Sequence, residues 1–276
     1  MSQPSMLLRF LGSGAAESFP APFCTCHNCQ VARRNGGRDI RRRSALLVND
    51  DLLIDFGPDV FQALQEFGLD ATNVRTLIIT HGHSDHLAAD SFIYRTPGFR
   101  QATELPLLEV YAPADALDAV LQLMGASLES ARLRLLPVTA GDEVRSNGYS
   151  ILALPAAHGG AEYECVTYLV ERDGARLLYA TDTGPFPEGA WDILARYPPA
   201  LAIVDATMGH LSGGSHMGIE QVKTTVARLR ELAGPQMRAI AHHFSHQANP
   251  SHDELTRIYG ADDIGVAYDG MLVEVG

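Results

Sequence analysis

Two observations predict an α/β fold whose chemistry lies at the ends of buried strands. Short apolar, β-like runs alternate with amphipathic helical stretches along all 276 residues, and no Pro-, Ser- or Gly-rich linker separates them, which is the pattern of layered α/β proteins. The conspicuous polar residues fall where those runs stop. A buried sheet holds such loop bases rigid while leaving their side chains accessible. The same continuity predicts one domain over residues 1–276.

The first β-like runs are residues 7–11, 45–48 and 52–55, each short and rich in Leu or Val. A helix over 59–67 leads to an apolar strand over 76–80. In the second half strands are expected over 151–154, 166–170, 177–180, 201–204 and 238–241, with helices over 189–196 and 219–232 between them. There is no low-complexity segment and no short tandem repeat.

Composition sets outer limits. A chain of this length with 46% hydrophobic residues can bury a sizeable core without disulfides. Its formal charge of −12 favours solubility and repels polyanions at long range, which disfavours broad nucleic-acid binding. No run approaches the roughly 20 apolar residues of a spanning helix, and MSQPSMLLRF lacks the plan of an export signal. A cytoplasmic protein without membrane association is expected. Cys24, Cys26 and Cys29 crowd into six positions, while Cys165 stands alone in an apolar run. The cluster reads as a metal site, with a redox or free-thiol role as the alternative. Cys165 reads as an inert buried residue.

The strand over 76–80 ends in HGHSDH, so His81, His83, Asp85 and His86 offer four ligand groups at the expected start of the next helix. Neutral imidazoles and a carboxylate packed this closely are best reconciled by a shared cation, and the donor set suits zinc, iron or manganese. Later strand ends carry His158 in LPAAHGG, Asp182 in YATDTG and His243 in AHHFSH. Each alone reads as well as a hydrogen-bonded rim residue or a turn cap.

HxHxDH followed by a later His, an Asp and a final His resembles the metallo-β-lactamase superfamily, over His81 to His243. The resemblance implies a four-layer αββα sandwich with two metals at one edge of the paired sheets. It implies that His81, His83 and His158 bind one metal, that Asp85, His86 and His243 bind the second, and that Asp182 bridges both. Asp55 in LLIDFG matches a position that supports the histidine loop from behind the ligands; a strand-end turn aspartate is the other reading. Two divalent cations, Zn or Mn, about 3.5 to 4 Å apart can lower the pKa of a bridging water, polarise the substrate and stabilise a leaving oxygen. Flavo-diiron relatives carry a Glu where this chain has His83.

CxCxxC at Cys24, Cys26 and Cys29 needs a fourth ligand to complete a tetrahedral structural zinc. His246 and His27 are the two candidates. With LGSG at residues 11–14, the basic stretch to Arg43, HGHSDH, YATDTG and HFSHQ, the chain resembles PhnP-type cyclic phosphodiesterases over nearly its whole length. That resemblance implies His246 as the fourth zinc ligand, a homodimer, and a small phosphodiester substrate, nucleotide or sugar, cyclic forms included. His216 in SGGSHMGIEQ, just before a helix, is then the proton donor or phosphate contact, with His210 in reserve. A helix-entry residue without chemistry is the alternative for His216.

Arg33, Arg34, Arg38, Arg41, Arg42 and Arg43 form a local basic run that steers a phosphate, lines a subunit contact, or pairs with surface carboxylates. LGSG lacks the Lys and Ser/Thr of a nucleotide-binding loop and reads as a tight turn beside the site. Competing functions are a tRNA 3′-processing nuclease, a lactone or ester hydrolase, and a PqqB-like iron oxygenase or biosynthetic protein. The tRNA reading calls for a Gly- and Lys-rich arm that the sequence lacks.

Overall fold

Fourteen strands and six α-helices are present in the computed structural model, which describes residues 5–101, 104–160 and 163–276. β1 (Met6–Gly12), β2 (Ala45–Val48), β3 (Leu52–Ile54), β4 (Thr76–Ile78), β5 (Leu108–Ala112), β6 (Leu133–Pro137) and the last strand, β14 (Leu272–Val275), form one sheet in the order β14-β1-β2-β3-β4-β5-β6. β7 (Glu143–Ser146), β8 (Tyr149–Pro155), β9 (Val166–Arg172), β10 (Ala175–Ala180), β11 (Leu201–Asp205), β12 (Arg238–His242) and β13 (Ile264–Val266) form the other, in the order β13-β12-β11-β10-β9-β8-β7. β10 to β13 run parallel. The fully buried LAIVD run of β11 is what a central parallel strand requires.

The helices are α1 (His27–Asn35), α2 (Val60–Glu66), α3 (Ala114–Met124), α4 (Glu188–Arg196), α5 (Ile219–Ala233) and α6 (His252–Gly260). α2 and α3 bury Val60, Ala63, Ala116 and Val120 against Leu47, Leu53, Leu77 and Val110 of the first sheet. Met6, Leu8 and Phe10 of β1 join Tyr168, Leu178 and Ile203 of the second sheet in a core that continues to Leu194, Val226 and Leu255 of α4, α5 and α6. The layers are therefore αββα. No helix among the described residues is long and apolar enough to cross a membrane.

Two local expectations are corrected. No helix begins at HGHSDH: Phe56 and Leu87 form an isolated bridge, the Phe56 amide donates to the His86 carbonyl, and the next α-helix is α3. The motif makes a single turn, the His86 and Leu87 amides both donating to the His83 carbonyl, before Leu87 joins the bridge, and a 3₁₀ helix over Ala89–Arg95 follows before Pro97. LGSG is not a tight turn either. Gly14 bridges both Arg43 and Phe244, and a Cβ on Gly12 would stand 1.9 Å from the Arg43 carbonyl oxygen. Gly12 is needed for close approach of two strands, not for a turn.

Candidate metal centre

Three strand ends deliver the site by one device. Asp55 follows β3, Asp182 follows β10 and His243 follows β12, and these residues adopt left-handed backbone with φ of 62°, 56° and 65°. Non-glycine residues rarely hold that conformation unless the surroundings over-determine it. Here the kink turns each side chain off its strand toward one edge of the sandwich.

His81, His83, His158 and Asp182 present ligand atoms within 4.8 Å of one another. His81 Nδ1 lies 3.0 Å from Thr80 Oγ1 and His158 Nδ1 3.2 Å from the Ser215 carbonyl, contacts that assign the protons to Nδ1 and leave both Nε2 lone pairs free. Those two Nε2 atoms then meet His83 Nδ1 at 2.9 and 3.3 Å. One proton cannot satisfy three converging nitrogens; a cation can. Burial, before any neighbouring charge, holds the three imidazoles below their ordinary pKa, which keeps them neutral.

Asp85, His86, His243 and Asp182 form a second group within the same 4.8 Å limit. His86 Nδ1 donates to Asp55 Oδ2 at 2.7 Å, and His243 Nδ1 donates to Thr207 Oγ1 at 2.8 Å, so each points Nε2 inward. Asp85 Oδ2, His86 Nε2, Asp182 Oδ1 and His243 Nε2 are buried without a hydrogen-bond partner. Orphaned polar atoms are costly. Three of them, Asp85 Oδ2, His86 Nε2 and His243 Nε2, lie together with Asp182 Oδ2, which is 3.1 Å from His86 Nε2 and 3.7 Å from His243 Nε2, and this set of imidazoles and carboxylates fits a divalent cation. Burial opposes charge on His86, yet Asp55 and Asp85 raise its pKa well above the usual value: the pocket attracts positive charge. Asp182 belongs to both groups, as a bridging ligand must.

Asp55 is therefore more than a turn residue. Its Oδ1 accepts from the Thr80 amide at 2.9 Å and hydroxyl at 3.0 Å while Oδ2 holds His86, so one buried carboxylate orients both ends of the motif. Asp205, which the sequence reading did not single out, does the same on the other side. It accepts from the amides of Asp182, Thr207 and Met217 and from the Thr207 hydroxyl, and it lies 3.3 Å from His216 Nδ1. The available signal was an acid closing an apolar run, LAIVD, as Asp55 closes LLID.

His216 Nδ1 lies 3.1 Å from Asp182 Oδ1, and its ring stacks on His243 at 14°. Burial lowers its pKa, but the bond to Asp205 and the charges of Asp205 and Asp182 outweigh that and raise it. His210, the reserve candidate, is exposed, and its backbone amide bonds Ala248. His242, beside His243, faces away and donates from Nε2 to the Gly12 carbonyl at 3.0 Å.

Cys24, Cys26, Cys29 and His246 also converge within 4.8 Å, with Cys26 Sγ 3.5 Å from His246 Nδ1. Three sulfurs and an imidazole are the donor set of a structural zinc. His27, the competing candidate, is exposed at the start of α1. Burial opposes it, but hydrogen bonds from the Cys29 backbone, His246 and the neighbouring thiols pull Cys26 down to about 6. Burial pushes the isolated Cys165 up to about 12, as suits an inert thiol.

His83, Asp85, His158, Asp182, His216 and His243 open into a cleft of about 310 Å³ walled by Ala15, Ala16, Glu17, Met208, Leu211 and Gln247. The arginine run does not line it. Arg33 bonds the Cys24 and Ala21 carbonyls, Arg38 lies over Tyr268, Arg42 pairs with Glu66 and Asp269, and Arg43 with Asp59. Arg41 is buried, bonding Ser13, the Ala267 carbonyl and His252 beneath the Phe244 ring.

A family model described as "Beta-lactamase superfamily domain" matches residues 51–244. A coenzyme PQQ synthesis protein B of Azoarcus sp. (strain BH72) is 27% identical over 231 residues, covering 74% of this chain and 73% of that protein. A ribonuclease Z of Mycobacterium bovis (strain BCG / Pasteur 1173P2) is 28% identical over 148 residues, 48% of this chain, which spans about half (52%) of the enzyme's length. The crystal structure of a diphosphatase from the PhnP family superimposes with a TM-score of 0.78 at 22% identity, covering 98% of this chain and 96% of its own.

Proposed function

The chain belongs to the β-lactamase superfamily, and from that premise we propose that it is a dinuclear metallohydrolase cleaving small phosphodiesters. The observation that carries this reading is the pair of donor groups that share Asp182 beside a three-cysteine, one-histidine group. His81, His83 and His158 would hold one divalent ion, Asp85, His86 and His243 the other, with Asp182 between them, and Cys24, Cys26, Cys29 and His246 a structural zinc. Two such ions supply Lewis acidity and an activated water when bound. The protein's own residues do the rest. Asp55 and Asp205 fix the ligand rings, and His216 holds a proton for the departing alkoxide. With Nδ1 engaged by Asp205, Nε2 is the ring nitrogen left to deliver it.

The diphosphatase of the PhnP family supports this reading through its fold. The identity with coenzyme PQQ synthesis protein B favours a second one, an oxygen-dependent or non-catalytic biosynthetic role. Assays of the purified protein with bis(4-nitrophenyl) phosphate and 2′,3′-cyclic nucleotides, with added zinc or manganese, separate the two. Metal-dependent turnover is expected. Its absence on every diester, with iron bound and oxygen consumed, would decide for the second reading.

A further inference from the structure

A diester carries one negative charge at neutral pH, whereas a phosphomonoester or diphosphate carries more. The charge of the cleft wall therefore selects among them.

That wall is short of cations. Among the described residues no Lys or Arg lines it, although the chain has 21 of them. Arg41 and Arg43, which form isolated bridges to Phe19 and Gly14, are committed to Ser13 and Asp59. Carboxylates are plentiful. Asp85 and Asp182 sit among the ligands, Asp55 and Asp205 stand directly behind them, and Glu17 is on the wall, accepting from Ser245 Oγ at 2.5 Å. Asp115 adds another beside Gly82, with neither oxygen hydrogen-bonded. Even without Asp115, these five carboxylates exceed the four positive charges of two divalent ions. The remaining wall is uncharged: Ala15, Ala16, Met208, Leu211 and the Gln247 amide.

Resting on the phosphodiesterase reading, we infer that the cleft takes esters whose only anionic group is the phosphodiester being cleaved, flanked by uncharged groups, and rejects esters that carry a further phosphate. The discrimination is electrostatic: a second phosphate would have to lie against Glu17 and the buried aspartates with no guanidinium or ammonium to meet it.

The test compares two chromogenic esters differing by one group, the 4-nitrophenyl ester of thymidine 5′-phosphate and the same compound bearing a 3′-phosphate. Steady-state kcat/KM is measured on zinc- or manganese-loaded protein, and calorimetric titration is run with the slowly hydrolysed phosphorothioate of each. The 3′-phosphate is expected to weaken both binding and kcat/KM by roughly tenfold or more, as like-charge juxtaposition does. Leu211→Arg, at a wall position 54% exposed, places a cation there without opening a cavity and should narrow the ratio. Equal or tighter binding of the bisphosphorylated ester overturns the inference. If neither ester is turned over, the phosphodiesterase reading falls, and the binding ratio still decides the charge selectivity by itself.

Discussion

Asp55 Oδ2 lies 2.7 Å from His86 Nδ1, with both side chains fully buried. Because Oδ1 of the same carboxylate holds Thr80, this one residue fixes the ring of a proposed metal ligand and the backbone that leads into the motif. Asp55→Asn keeps the shape but lets the amide present a donor to Nδ1. Metal affinity is expected to fall about 10- to 100-fold, as for other groups that orient ligands from behind, read by metal analysis after dialysis against a graded chelator. Full metal retention at every chelator level would show that Asp55 acts elsewhere.

On the proposed mechanism His216→Gln removes the proton donor without removing a proposed metal ligand. The expected loss is about 10²- to 10⁴-fold in kcat, with KM and bound metal nearly unchanged. The loss should shrink for esters with an acidic leaving group such as 4-nitrophenol, which needs no proton. An equal loss on all esters, or loss of metal, would assign His216 to the metal site.

Cys26→Ser should remove about one zinc per chain and leave the other two ions bound, because the sulfur group shares no residue with the histidine and aspartate groups. Elemental analysis reads this directly. Melting temperature should fall as well, since a structural ion contributes folding free energy. Loss of all metal together would mean that the loop from His243 to His246 couples the two sites.

Gly12→Ala forces a Cβ into the Arg43 backbone, where no side chain can swing away. Destabilisation of roughly 2 to 3 kcal/mol is expected, measured by urea unfolding. Gly98→Ala, which meets nothing within 4 Å, serves as the control and should change little.

His252 Nδ1 accepts from Arg41 Nη2 at 3.2 Å. Burial first, then the charges of Arg41 and Arg38, push its pKa down to about 4. A histidine depressed in the folded state stabilises fully above its unfolded pKa of about 6.5, and that stability is lost as pH falls toward 4. The contribution is roughly 3 kcal/mol. His252→Gln keeps an acceptor but cannot take up the proton, so the slope of unfolding free energy against pH between those limits should flatten. An unchanged slope would place the acid sensitivity in other groups.

The residues proposed as ligands were legible because metal chemistry demands particular side chains in a short order: His81, His83, Asp85 and His86 stand together in the chain, and His158, Asp182 and His243 each close a visible apolar run. The αββα layering was implied by that motif and is what the strands form. Asp205 escaped notice because it binds amides, a hydroxyl and one ring, contacts that leave no spacing in the sequence. The choice of His246 over His27 was likewise spatial, since the loop after β12 brings a residue 220 positions away to Cys26. So was the fate of the arginines. Six neighbouring cations look alike in a sequence, but only folding brought Glu66, Asp59, Asp269 and the Phe244 ring to Arg41, Arg42 and Arg43, and left the cleft without a guanidinium among the described residues. Side-chain identity and order determined which chemistry is possible. Which groups are buried together, and therefore which charges are already spent, was decided by the tertiary structure alone, because Coulomb and hydrogen-bond partners are chosen by distance in space.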